Sequence, residues 1–278
     1  MESKVKSQKR MMKFNLQVYQ QVWNELNQRN AITLPREHGV LSPMPLHIFS
    51  TIPSTNQKLW ELIDDGATIP LAAIAMQQTA GRGQWGKTWV SSEGGLYLSV
   101  AIAPNLAPNH NPHLVMATAW GIATLLRSYR LPVFLKWPND LILARRKLGG
   151  IKIETRIFHR QVTQTVIGVG INWINPVPEV GINLQSYQQK EITSLEQLAA
   201  ITAYGILFGY QHYLSVGIEK LLDDYLEILT SLGQTAMVNS CPGEVTGVTT
   251  DGKLKVRWRS PSATTEVCLS PGQISLGY

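Results

Sequence analysis

Three glycines, an arginine and two tryptophans fall together in Gly81-Arg82-Gly83-Gln84-Trp85-Gly86-Lys87-Thr88-Trp89. Glycine lets a backbone approach a ligand closely and turn successive N–H groups toward an anion. Arg82 adds a planar cation that does not deprotonate and can clamp a phosphate or a carboxylate. Trp85 and Trp89 offer flat apolar faces for a ring or an alkyl chain. The spacing Gly81-x-Gly83-x-x-Gly86 formally matches a dinucleotide fingerprint, but that fingerprint opens a helix and is followed about 20 residues later by an acid for the ribose. Here the loop leads through Thr88–Gly95 into an apolar run, and after Glu93 the next acidic residue is Asp140. A kinase glycine loop fails as well, because the chain has no HRD or DFG segment. The loop alone leaves two readings open: an anion-facing loop, or a surface loop with its tryptophans tucked into the core.

Three more clusters bear on that choice. Lys136-Trp137-Pro138-Asn139-Asp140 joins two short apolar stretches. Pro-Asn-Asp is type I turn chemistry, yet the segment also sets a lysine near a carboxylate. Lys147-Leu148-Gly149-Gly150-Ile151 opens a strand with a glycine pair, which implies close packing on its backbone; Lys147 is a ligand cation or a solvated hairpin lysine. Gly168-Val169-Gly170-Ile171-Asn172 ends a strand with a side-chain amide able to bond a hydroxyl, or simply with a turn.

Periodicity supplies the elements that must position these residues. Phe14, Val18, Val22 and Leu26 recur in steps of four and predict a short amphipathic helix over 14–28. A strand over 46–50 precedes Ser54-Thr55-Asn56, a small polar cap for a helix that carries Leu59, Leu62 and Ile63 and stops at Gly66. Strands are predicted over 71–77 and 96–103, with a loop over 78–95 and a buried helix over 113–130. Short strands at 133–136, 141–144, 148–158 and 161–171 are separated by tight turns, which implies antiparallel hairpins rather than βαβ crossovers. The segment 172–193 reads as irregular, and helices follow over 194–214 and 218–231. From Gln234 onward short strands alternate with turns at Pro242-Gly243, Asp251-Gly252 and Pro271-Gly272, the pattern of a small β-barrel. The expected class is α+β, in three parts: a basic tail and helix over 1–45, a large domain over 46–232 and a barrel over 233–278.

Composition sets limits on function. With 278 residues, 44% hydrophobic and 16% charged, the chain is globular in type. Cys241 and Cys268 form no C-x-x-C pair, so neither a disulfide framework nor a zinc site is indicated. No secretory h-region follows the basic start and no apolar run reaches about 18 residues, so a soluble, cytoplasmic protein is expected, with no membrane partner. The net charge is +6, of which the first 13 residues supply five cations against one acid, or +4. That reads as a solvated arm before a nucleic-acid arm, since no groove-reading helix-turn-helix is found.

Taken in order, the segments Ser54-Thr55-Asn56, Gln78–Trp89, Lys136–Asp140, Lys147–Ile151 and Gly168–Asn172 resemble the biotin–protein ligases. Each motif is weak; five in register at family-like spacing are strong. The resemblance runs from about Ser54 to Asn172, more faintly to the end. It implies a catalytic domain related to class II aminoacyl-tRNA synthetases, with a mixed, largely antiparallel sheet, and then an SH3-like barrel. It also implies the reaction: biotin and ATP, with Mg²⁺, give biotinyl-5′-AMP, and a carrier lysine then takes the biotin. A biotin carboxyl carrier protein of acetyl-CoA carboxylase is the implied partner, and the enzyme a monomer or weak homodimer without specific DNA binding.

By position, Ser54, Thr55, Asn56 and Gln78 look like the uncharged edge for the ureido ring. Arg82, Gly83 and Gln84 look like the loop over the carboxylate. Lys147, with Arg82, looks like the catalytic cation near the α-phosphate and also touches biotin. Trp89, Lys136, Asn139, Asp140 and Asn172 look like nucleotide-binding residues, and no protein metal ligands are assigned. Many relatives have arginine where this chain has Gln84, so the sequence predicts faster loss of the intermediate than in a Gln84→Arg variant. Two alternatives stand beside this reading. A lipoate–protein ligase shares the adenylation logic, and a non-enzymatic, basic nucleic-acid-binding protein would use the tail and barrel.

Overall fold

The computed structural model describes residues 14–30, 41–238, 241–259, 264–274 and 276–277. The basic arm expected over 1–13 lies outside them. Helix α1, Leu16–Asn30, begins where the Asn15 side-chain oxygen accepts the backbone N–H groups of Gln17 and Val18. Its buried face is Tyr19, Val22, Trp23 and Leu26. The strict step of four drifts off this face, because a helix turns every 3.6 residues and Phe14 and Val18 fall to its side.

The chain then lays down β1 (Leu46–Ile52), α2 (Thr55–Asp64), β2 (Leu71–Gln78), β3 (Leu96–Ile102) and α3 (Asn111–Ser128). It continues through β4 (Phe134–Lys136), β5 (Asp140–Leu143), β6 (Arg146–Phe158) and β7 (Gln161–Ile171). These strands form one sheet in the order β1-β2-β3-β7-β6-β5-β4, and only the β1–β2 pair is parallel. The expected α+β class with a largely antiparallel mixed sheet is therefore observed. Each tight turn read from the sequence became a hairpin, and the Trp137–Pro138 bond in the β4–β5 turn is cis.

The two sheet faces do different work. Ala72, Ile74, Leu98, Val100, Ile167 and Ile171 point into the main core with α3 and a long helical run, α4, Leu195–Glu227. Alternate residues Leu71, Ala73, Ala101 and Val166 meet Leu59 and Ile63 of α2 on the other face. The two helices predicted at the end of this domain meet at Gly217, whose φ of 79° interrupts α4. Helix α1 docks on α4 through Trp23, packed edge-on against Tyr204 at 5.3 Å, while the Trp23 indole N–H donates to the Leu41 carbonyl.

The tail forms β8 (Thr235–Val238), β9 (Cys241–Val248), β10 (Leu254–Arg259) and β11 (Thr264–Leu269), an antiparallel meander. Its Asp251-Gly252 turn sits against the large sheet: the Trp137 indole N–H donates to the Gly252 carbonyl at 2.9 Å.

Helices α3 and α4 cross at glycine. A Cβ on Gly209 would stand 1.9 Å from the Ala117 carbonyl oxygen, which is backbone and cannot swing away. Gly209→Ala is expected to lower unfolding free energy by about 1–3 kcal/mol through forced separation of the helices. An unchanged denaturation midpoint would contradict this packing.

Candidate active site

The site is built on a floor stripped of side chains. Strands β6 and β7 pair Gly150 with Gly170 and Lys152 with Gly168, so these four positions share one face. Three are glycine. A Cβ on Gly168 would lie 2.2 Å from Asn56 Oδ1, and one on Gly170 would lie 2.4 Å from Trp89 Nε1. The start of α2 and the Trp89 indole therefore descend directly onto the β7 backbone. Above the floor lies a cleft of about 420 Å³. Of the residues singled out by sequence, Ser54, Thr55, Asn56, Gln78, Arg82, Gly83, Gln84, Trp89, Lys136, Asn139, Asp140 and Lys147 all line it.

One end of the cleft is polar and uncharged. Gln78 Oε1 accepts the Thr55 backbone N–H at 2.8 Å, and its amide N–H donates to Ser91 Oγ at 2.8 Å. Behind them the buried Ser99 hydroxyl lies 2.7 Å from Thr55 Oγ1 and 2.6 Å from Asn56 Oδ1. The Asn56 amide orientation is fixed by this, because its oxygen takes the serine. Its Nδ2 is then a buried donor without a hydrogen-bond partner among the described residues, as is Trp89 Nε1. Buried donors of this kind are rarely left unmatched, so they mark places for a ligand or water acceptor. Ser54 stands at the N-cap of α2 but makes no capping bond; it is buried at the cleft edge instead.

The other end gathers cations. Lys147 Nζ bonds Asp140 Oδ1 at 2.7 Å and lies 5.4 Å from the centre of a Trp89 ring. Lys136 is buried, and burial pulls its ammonium below the usual lysine range; nearby Lys147 adds to this and Asp140 opposes it. Its Nζ donates to the Gly277 carbonyl, so the C-terminal segment closes this side. Asn139 Nδ2 donates to the Ile151 carbonyl at 2.6 Å and ties the β4–β5 turn to β6. In the glycine loop, Gly83 N–H donates to the Lys87 carbonyl, Trp85 adopts a positive φ of 57°, and Arg82 reaches Gln57 Oε1 at 3.4 Å.

Asn172 is not brought to the cleft. Its Nδ2 donates to the Lys147 carbonyl at 3.4 Å and its Oδ1 accepts from Asn175, so it stands behind Lys147. The sequence reading does not single out Ser99, Lys152, Gln273, Ile274 or Leu276, all at or against the cleft. Lys152 was findable, since it sits two residues from Gly150 on a strand and must share its face. Ser99 lies inside an apolar run, and nothing local distinguishes it.

Among the described residues, Asp140 is the only carboxylate lining the cleft, and no cluster of three metal-ligating side chains occurs. That donor set fits Mg²⁺ arriving with phosphates, since Mg²⁺ takes one or two protein carboxylates and fills its shell with phosphate oxygens and water.

Known proteins place this arrangement. The family described as Biotin/lipoate A/B protein ligase matches residues 48–172. Among relatives, the bifunctional ligase/repressor BirA of Bacillus subtilis is 32% identical over 178 residues, covering 62% of this chain and 52% of that protein. BirA of Escherichia coli is 36% identical over 162 residues, covering 52% and 50%. The chain thus spans about half the length of these relatives. In structure, the biotin protein ligase of Aquifex aeolicus in complex with biotin and ATP superposes with a TM-score of 0.66 at 22% identity, covering 83% of this chain and 97% of that one. The matched segment runs from within β1 through the end of β7 and takes in nearly all of the sheet that carries the cleft; over that segment the chain is similar to the biotin/lipoate A/B protein ligase family.

Proposed function

We propose that the chain is an ATP-dependent ligase that forms biotinyl-5′-AMP and transfers biotin to one lysine of a biotin carboxyl carrier protein. In this reading 46–232 is the catalytic domain. The observation that carries it is the division of a single cleft into an uncharged, hydrogen-bonding end and a cationic end. A ureido ring is neutral and carries N–H donors with one C=O acceptor. Thr55, Ser54 and the orphan Asn56 Nδ2 match it in type. A lipoyl dithiolane has neither N–H nor C=O, and would leave those buried groups unanswered. A nucleic-acid-binding reading gives them no role at all.

The cationic end suits the chemistry that follows. A biotin carboxylate oxygen attacks the α-phosphorus of ATP, the bond to the bridging oxygen breaks, and pyrophosphate leaves. Lys147 and Arg82 offset the charge on the phosphoryl oxygens as it grows in the transition state. Mg²⁺ bound with the nucleotide would be held through Asp140 and would neutralise the leaving pyrophosphate. The neutral amine of the carrier lysine then attacks the acyl carbon, AMP departs, and an amide is left. The adenylate is itself the acyl donor, so no enzyme nucleophile is required. Trp89 walls the cleft, and Asn139 and Asn172 hold the β4–β5 turn and the Lys147 backbone in place.

The direct test is ATP–pyrophosphate exchange with the purified chain. Exchange that depends on biotin is expected, with none driven by lipoate; the reverse pattern would overturn the assignment. Lys147→Ala should slow exchange by about 10²–10³-fold, the scale of a lost preorganised charge. Lys136 gives an independent check. Since burial disfavours its charge, the unfolded chain holds that proton more tightly, and the wild type gains stability as pH rises toward 10.5. Lys136→Met should weaken ATP binding while keeping the stability near pH 7 or raising it, and should lack that pH-dependent gain. A loss of more than about 1 kcal/mol at neutral pH would show instead that Lys136 is kept for folding.

A further inference from the structure

We infer that Lys152 supplies, at the Gly83 backbone, the positive charge that Gln84 does not carry, and that it thereby retains the adenylate. This rests on the ligase reading above. Lys152 is the one long side chain left on a floor otherwise made of Gly150, Gly168 and Gly170. A floor cleared so thoroughly for a ligand keeps a lysine at the point where the loop comes down.

The contacts aim that lysine at the loop. Lys152 Nζ donates to the Gly83 carbonyl at 3.0 Å and stands 3.6 Å from Glu154 Oε1. Glu154 is held on its far side by the Trp60 indole N–H at 3.0 Å, so it faces away from the cleft centre. An ammonium has three N–H donors; Gly83 takes one, Glu154 lies along a second, and the third has no partner among the described residues. The side chain is 22% exposed, which leaves its charge only partly screened by water.

The loop's own side chains leave a gap there. Gln84 turns its amide to the Ile151 carbonyl at 3.3 Å, against the strand. Arg82 lines the cleft but is exposed and bonds Gln57 rather than the loop backbone. Lys87 of the loop also lines the cleft but is exposed, whereas Lys152 Nζ is bonded to the Gly83 carbonyl and enters from β6 instead of from the loop. This revises the expectation drawn from Gln84 alone: the cation has been moved rather than lost. Lys152 acts as a positioning residue through Gly83 and as a fixed charge beside the carboxyl–phosphate junction.

The test is the dissociation rate of biotinyl-5′-AMP from the full chain, read by stopped-flow tryptophan fluorescence with excess biotin and ATP as chase. Lys152→Met should speed release on the order of 10- to 100-fold, the range for a lost charged hydrogen bond. Lys152→Arg should stay near the wild type. Lys152→Gln, which keeps an N–H donor without charge, should behave like Lys152→Met; wild-type retention by it would mean a mere tether and overturn the proposal. Gln84→Arg should slow release far more in the Lys152→Met background than in the wild type, and equal factors in both would overturn it as well. Thermal midpoints of the variants separate misfolding from the effect, and Lys152→Gln carries the comparison if Lys152→Met folds poorly. If the wild type binds the adenylate and Lys152→Met releases it within twofold of the wild-type rate, this inference fails alone. If the wild type binds neither biotin nor the adenylate, the ligase reading fails and takes the inference with it.

Discussion

The close approach of α2 and Trp89 to the bare backbone of β7 is the constraint on which the rest depends. It requires glycine at 168 and 170, since any side chain there would strike Asn56 or the indole. It also dictates that the opposite face of the same strands carry the main core, because a sheet with one face emptied for a ligand must be anchored by the other. Helices α3 and α4 provide that anchor, and their own near-contact at Gly209 lets them lie flat enough to do so. Fold and cleft are thus two consequences of where glycine falls in the strands.

From that floor the polarity of the cleft follows. The helix start delivers uncharged groups from one side, because Thr55 and Asn56 are fixed by Gln78 and Ser99 beneath them and Ser54 is buried beside them. The β4–β5 turn and the start of β6 deliver Lys136, Asp140 and Lys147 from the other side. A buried lysine whose charge is disfavoured by its surroundings is poor material for stability, and the clearest reason to keep one is an anionic ligand. A molecule neutral at one end and anionic at the other fits this gradient along its length.

Much of this was legible in the chain itself. Hairpins follow from tight turns between apolar runs, and the glycine spacing that resembles a dinucleotide loop is disarmed by the strand that comes after it. Asn172 shows the limit: a side-chain amide at a strand end looks the same in sequence whether it meets a ligand or braces Lys147 from behind. Ser99 shows another, since a hydroxyl inside an apolar strand gains its role only from residues 43 or 44 positions away in sequence. The face of α1 was misplaced by one step for a geometric reason, as a period of four was read where the helix imposes 3.6. Lys152 is hard to read in the sequence because it belongs to β6 and meets the loop backbone only across 69 residues of chain.

The most direct test of the account is calorimetric titration of biotin into the wild-type chain and into Gly168→Ala. A single Cβ at that position displaces Asn56 without touching the cationic end or the core face. The wild type is expected to bind biotin, and Gly168→Ala to bind it at least about 10-fold more weakly at a temperature where both are folded, as follows when a ligand-positioning group shifts. Wild-type affinity in Gly168→Ala would contradict the claim that the stripped floor and the amide pressed onto it form the binding site.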